Sequence, residues 1–275
     1  MTEATDLLPG LAERFRTVRG VRIRFYEGGE GPPLLLLHGF GGAAWNFTGL
    51  AAALRGRRLL VPDLPGHGGS EPLPAVSMSA LADAVAELLT EPLPVLGHSM
   101  GGVVALRLAE RRPELVSGLV LAAPAGISTA TRASEATIAL AGLVQPARIA
   151  GRHVDRIARS RRLRRLVFGR FEVANTDALP EQAVHGFLRA PRLHTDALGA
   201  GLALAHDDPR ECIERIRCPS LVLFGARDKQ VPVEDGFEYA RLLGAPLRLV
   251  ADCGHLLIGE RPDVCARAIE ALATL

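Results

Sequence analysis

Lysine is almost missing from this 275-residue chain: Lys229 stands alone among 32 basic residues, and the other 31 are arginine. That skew reads as genome composition more than function. An excess of charge is missing too, because 32 basic residues oppose 30 acidic ones and leave +2. A dedicated nucleic-acid binder would carry a strong basic excess, so that class is set aside. Long apolar runs are absent: none approaches the roughly 18 residues a helix needs to span a bilayer, and no stable membrane insertion is expected. Residues 1–20 include Glu3, Asp6, Glu13 and several arginines, which break up the apolar core a signal peptide would need. Cysteine is scarce and late, at Cys212, Cys218, Cys253 and Cys265, with no C-x-x-C pair. This spacing argues against a zinc site. Free thiols in a reducing cytoplasm are the default, with one bridge left open. No repeat or low-complexity tract is visible.

What is present is ordinary globular material, 48% hydrophobic and 23% charged. The length suits one α/β core carrying an insertion. From residue 19 to about 123 strands and helices alternate. Residues 21–26 alternate Val, Ile and Phe with Arg, as an edge or half-exposed strand does. Residues 34–37 are a solid apolar run suited to burial on both faces. Helix 47–54, strand 58–61, helix 79–89 capped by Ser79, strand 93–96, helix 102–111 and strand 118–122 follow. Such alternation implies right-handed crossovers and a mostly parallel sheet. Between about 125 and 208 no strand is expected, and the arginine- and alanine-rich segments broken by Pro146, Pro180 and Pro191 read as helices. Alternation resumes with strand 221–224, helix 234–243, strand 247–250 and helix 262–272. The expected division is a core of 1–124 and 209–275 with a helical lid at 125–208.

The strongest local signal is Gly97-His98-Ser99-Met100-Gly101-Gly102, where a strand runs through G-x-S-x-G into an apolar helix. A residue on so tight a turn is driven toward positive φ, and the glycines remove the Cβ atoms that would collide. The strain lifts the Ser99 hydroxyl clear of the backbone at the carboxyl edge of the sheet. A serine nucleophile needs a base, and the base an orienting acid. His255 and Asp228 follow the 247–250 and 221–224 strands, so both belong to the same edge. The rival readings are a helix-capping loop histidine for His255 and a surface ion pair with Arg227 or Lys229 for Asp228. Asp235 and Asp252 are reserve acids. Oxyanion donors are expected from the N–H of Met100 and from the loop His38-Gly39-Phe40-Gly41-Gly42, where Phe40 is the first choice and Gly41 the second. His38 is expected to hold that loop. A thiol role for Cys253 is disfavoured, because it has no such turn around it.

With these pieces in place, the sequence resembles the α/β-hydrolase superfamily over nearly the whole chain beyond its first fifteen or so residues. The matching motifs are HGFGG (38–42), DLPGHGGS (63–70), GHSMGG (97–102), GARD (225–228) and DCGH (252–255). The resemblance implies an eight-stranded, mostly parallel sheet flanked by helices, a serine triad, and an all-helical cap after the sixth strand. It also assigns His67 and Ser70 to a structural loop. Related dehalogenases and epoxide hydrolases carry aspartate at the turn, so serine sets them aside.

The expected activity is hydrolysis of carboxylic esters with small to medium, mostly apolar acyl groups, through an acyl-enzyme and with no metal or cofactor. The alternatives are a carbon–carbon hydrolase of ring-fission products, a serine perhydrolase, and a ligand-binding receptor of the same fold. Against the first, Leu256 follows the candidate histidine where such enzymes usually have tryptophan. Trp45, Phe168, Phe171, Phe187, Leu188 and Leu256 are pocket candidates that could equally be core. The arginines at 148, 152, 156, 159, 161, 162, 164, 165 and 170 read as a solvated face pairing with acids, with attraction of an anionic substrate or surface as the rival. The expected partner is a small ester, and the expected state a cytoplasmic monomer or homodimer.

Overall fold

The computed structural model describes residues 7–128, 150–169, 173–194 and 196–272. Eight strands form one sheet in the order β1-β2-β4-β3-β5-β6-β7-β8. They are β1 Leu11–Val18, β2 Val21–Gly28, β3 Pro33–Leu37, β4 Arg58–Pro62, β5 Leu93–His98, β6 Val116–Ala122, β7 Ser220–Gly225 and β8 Leu247–Val250. β1 pairs antiparallel with β2, and β2 antiparallel with β4; every later pairing is parallel. The parallel strands therefore present their carboxyl ends along one rim.

Side chains on the parallel strands alternate between two cores, as a pleated strand buried on both faces requires. Leu35, Leu37, Val95, Leu119, Leu121, Val222 and Phe224 face one core, which is closed by α2 (Met78–Ala86), α3 (Met100–Arg111) and α9 (Val233–Leu243). Leu34, Leu36, Leu96, Val120, Leu221 and Leu223 face the other, closed by α1 (Thr48–Ala53) and α11 (Pro262–Leu272).

Between β6 and β7 the described residues form helices and no strand. They are α4 (Val154–Arg159), α5 (Arg161–Val167), α6 (Glu181–Arg189), α7 (Ala197–Ala205) and α8 (Arg210–Ile213). Val154, Ile157, Phe168, Val184, Phe187 and Leu188 belong to the same buried cluster as Leu34, Leu36 and α11, so this segment shares its core with the sheet. Gly186 lets α6 lie against the 3-10 turn Ala44–Phe47, since a Cβ there would strike the Trp45 carbonyl.

Three sequence expectations shift. β1 was not foreseen and is the true edge, so β2 lies inside the sheet. Ser77, not Ser79, caps α2, its Oγ accepting from Ala80 N at 3.0 Å. A short helix, α10 (Leu257–Glu260), intervenes between β8 and α11.

Candidate active site

Ser99 sits in the turn from β5 into α3 with φ 54° and ψ −120°, a conformation that costs a non-glycine residue on the order of 1–3 kcal/mol. Main-chain bonds hold it there. Ser99 N donates to Ala122 O at 3.0 Å, and Ser99 O accepts from Gly102 N at 2.9 Å and Ala125 N at 3.2 Å. The flanking glycines are sterically required: a Cβ at Gly97 would strike the Gly101 carbonyl, and one at Gly101 the Leu37 carbonyl.

The rim brings three side chains together. His255 Nε2 lies 3.0 Å from Ser99 Oγ, and His255 Nδ1 lies 2.8 Å from Asp228 Oδ2. The other Asp228 oxygen, Oδ1, accepts from Gln230 N at 2.8 Å and Val231 N at 3.0 Å. With that carboxylate ionised, the satisfying tautomer of His255 carries its proton on Nδ1 and leaves Nε2 to accept from the serine hydroxyl. The Asp228 side chain is fully buried and that of His255 is 4% exposed, so neither contact is diluted by solvent. The reserve acids are engaged elsewhere. Asp252, exposed, pairs with Arg227 at 2.8 Å, and Asp235 accepts from Ser128 N at 2.9 Å. Cys253 is buried, and burial pushes its thiol well up; all four cysteines are free.

The loop after β3 presses against the serine, for a Cβ on Gly39 would stand 2.9 Å from Ser99 Cβ. His38 sets this loop. Its Nε2 accepts from Leu64 N at 2.9 Å, so its proton is on Nδ1, which donates to Gly39 O at 2.8 Å. Gly42 N grips the same carbonyl at 3.0 Å. The Gly39–Phe40 peptide plane is thereby fixed, and with it the direction of the Phe40 N–H. Burial lowers the pKa of His38 to about 4 and keeps it neutral. Met100 is the first residue of α3, where N–H groups have no intrahelical acceptor. Among the described residues, neither the Phe40 nor the Met100 N–H donates to a protein acceptor.

Residues 63–70 form the platform beneath. Asp63, fully buried, accepts from Arg24 Nε at 2.6 Å, Gly69 N at 2.8 Å and Ala44 N at 2.8 Å. Ser70 Oγ donates to Asp63 O at 2.7 Å and accepts from Arg24 N at 2.9 Å. His67 is fully buried, and burial holds its pKa well below the ordinary histidine value.

The pocket candidates divide. Trp45 donates from Nε1 to Tyr26 Oη at 3.1 Å and lies under Arg24, 5.0 Å from ring centroid to guanidinium. Phe168 and Phe187 pack edge to face at 6.4 Å, and Phe187 fills the space over Gly259. With Leu188 and Leu256 they belong to the buried cluster that joins the inserted helices to the sheet. Phe171 lies outside the described residues, as do Arg148 and Arg170. On the arginine-rich helices, Arg159 faces Glu181 at 3.8 Å, and Arg161 and Arg165 face Asp177 at 3.4 and 3.5 Å. Arg164 turns inward to the Ala158 and Leu179 carbonyls.

Three residues here carried no functional signal in the sequence. His98, inside the serine motif, faces the His255 carbonyl with Nε2 at 2.9 Å. His194 accepts from Gly68 N at 3.0 Å and contacts Gly41 O through Nε2 at 2.8 Å, so it links the inserted segment to the loops after β4 and β3. Glu260 accepts from Gly254 N, beside His255, at 2.8 Å. His98 was legible as a motif position without a role; His194 and Glu260 had no motif to mark them.

An eight-stranded sheet of this order, with a strained serine after β5, defines the α/β-hydrolase class of fold. Comparison agrees: residues 34–268 match the model of the alpha/beta hydrolase family, and the chain belongs to that family. It is similar to the pimeloyl-[acyl-carrier protein] methyl ester esterase of Aromatoleum aromaticum, at 32% identity covering 87% of this chain and 97% of the relative. An uncharacterized protein of Mycobacterium tuberculosis is 31% identical, covering 90% of this chain and 77% of its own length. Among solved structures, a membrane phospholipase A described as a bacterial virulence factor superposes with TM-score 0.74 at 26% identity, covering 97% of this chain and 87% of that one. A thermophilic esterase of Thermogutta terrifontis gives 0.71 at 25% identity, with 96% and 98% covered.

Proposed function

We propose that this protein is a serine carboxylesterase acting on esters of small to medium, mostly apolar acyl groups. The observation that carries the reading is the continuous relay Ser99 Oγ, His255 Nε2, His255 Nδ1, Asp228 Oδ2, with contacts of 3.0 and 2.8 Å. The esterase names of a relative and a structural neighbour support ester chemistry in general.

In this reading Ser99 Oγ attacks the ester carbonyl carbon while His255 Nε2 takes the hydroxyl proton. Asp228 keeps the Nδ1 proton in place and stabilises the imidazolium that forms. The Phe40 and Met100 N–H groups receive the tetrahedral oxyanion, and the positive end of α3 adds to the field there. The alcohol leaves with the proton from His255. Water, deprotonated by the same imidazole, then hydrolyses the acyl-enzyme and regenerates Ser99. In this reading the inserted segment between β6 and β7 is the cap over this rim, tied to the loops beside it through His194 and Glu260.

The test is a chain-length series of p-nitrophenyl esters run on wild type and Ser99→Ala. The variant is expected to lose roughly 10⁴-fold or more in kcat, since the residual rate would come from binding and oxyanion stabilisation alone. Near-normal turnover by Ser99→Ala would refute the assignment, and a preference for the longest chains would refute the acyl size.

A further inference from the structure

The main chain around His255 is held on two sides. His98 Nε2 lies 2.9 Å from the His255 carbonyl, and this grip comes from the β5–α3 turn that also carries Ser99. Burial lowers the pKa of His98 to about 3, so it stays neutral and donates its Nε2 proton. The second grip is on the preceding amide, where Gly254 N donates to Glu260 Oε1 at 2.8 Å.

Glu260 faces the other way as well. Its Oε2 accepts from Ala174 N at 3.0 Å and from Asn175 N at 3.1 Å, both in the segment between β6 and β7. The residue is 4% exposed, and burial pushes its carboxyl pKa up. A carboxylate taken out of water needs hydrogen-bond donors to offset its lost hydration. Here those donors belong to two segments some eighty residues apart in the chain, so a shift of either leaves one oxygen of the buried Glu260 carboxylate without its donors and pulls on the side chain that holds the other.

We propose that Glu260 is a positioning residue through which the seating of residues 173–175 sets the place of the His255 imidazole. Its activity readout rests on the esterase reading above. The chemistry of the contact supplies the probe. In Glu260→Gln the side chain keeps its size but offers one oxygen and one NH2. If the oxygen serves Ala174 and Asn175, the NH2 meets the Gly254 N–H donor to donor; if the oxygen serves Gly254, the inserted segment is released. Either way the link is cut with little change in packing.

The experiment uses the full chain, wild type and Glu260→Gln, with three readouts. The first is steady-state hydrolysis of a short p-nitrophenyl ester. The second is the rate at which a small fluorophosphonate modifies Ser99. The third is amide hydrogen exchange at residues 174, 175 and 254. The variant is expected to lose about tenfold to a hundredfold in kcat, as small misplacements of catalytic groups do, with KM within about threefold. Its phosphonylation rate should fall in parallel. In wild type the three amides are expected to exchange as one set, and faster in the variant.

A lower melting temperature with kcat and phosphonylation within about twofold of wild type would reduce Glu260 to a structural role and overturn the proposal. So would independent exchange of Gly254 and the 174–175 pair in the wild type, a measurement that needs no variant to fold. Wild-type protein inert toward both reagents would overturn the esterase reading instead, and the exchange experiment would then decide the Glu260 linkage by itself.

Discussion

Asp228 shows how much one side chain can settle. Its two oxygens take three donors, the His255 ring N–H and the main-chain N–H groups of Gln230 and Val231. In Asp228→Asn, an amide that keeps its oxygen on the main-chain pair turns NH2 toward His255. That forces the imidazole proton onto Nε2, where it can no longer accept from Ser99. We expect kcat to fall by about 10³- to 10⁴-fold with a melting temperature near wild type; a loss under tenfold would mean that Asp228 does not set the tautomer. That an acid and a histidine stand at this rim was legible, because both follow strands of one parallel sheet. Asp228 was the first choice from the sequence, with Asp235 and Asp252 in reserve; in the structure Asp228 lies beside His255, while those two engage Ser128 and Arg227.

At the scale of elements, close approach of backbone governs what the turn at Ser99 tolerates. A Cβ at Gly101 would meet the carbonyls of Leu37 and His38, which cannot retreat without displacing β3. Gly101→Ala is therefore expected to destabilise the protein by about 3 kcal/mol or more, read as a fall in the urea midpoint. Gly49, in α1, is the contrasting case. A Cβ there meets Pro262 at an ordinary 3.7 Å, so Gly49→Ala should raise stability by about 0.5–1 kcal/mol and leave ester hydrolysis unchanged. Destabilisation by Gly49→Ala would show that the helix is tighter than its contacts indicate. β1 escaped the sequence reading for a physical reason. Six of its eight residues are exposed, so no burial pattern marks it, and its partner is supplied by the β2 main chain.

Across the whole molecule, buried neutral histidines tie stability to pH. The pKa of His38 lies at about 4 and that of His98 at about 3, both below the ordinary 6.5, and His67 is lowered as well. Below about pH 6.5 the unfolded chain protonates these rings while the folded chain does not, so unfolding takes up protons and stability falls with pH. His38 and His98 should each cost about 2 kcal/mol at pH 5 relative to pH 7. Urea midpoints measured at pH 7, 6 and 5 should decline in step; a flat profile would contradict the burial of these rings as neutral species. The inserted helices share a core with the sheet and are tied to its loops through His194 and Glu260, so they are expected to unfold in the same transition.

Local and periodic information was enough for the parallel sheet and the serine turn, and it named the three side chains that meet at the rim. Strand burial and the steric demands of a tight turn leave marks within a few residues of their cause. Contacts between distant segments leave no such mark. A carboxylate at 260 that receives N–H groups from 174, 175 and 254, or an indole at 45 held by Tyr26 and Arg24, depends on where segments distant in the chain meet in space. So does the sorting of Phe168 and Phe187 into a shared core: an apolar ring has the same character whether it lines a cavity or fills one, and only its packed neighbours distinguish the two.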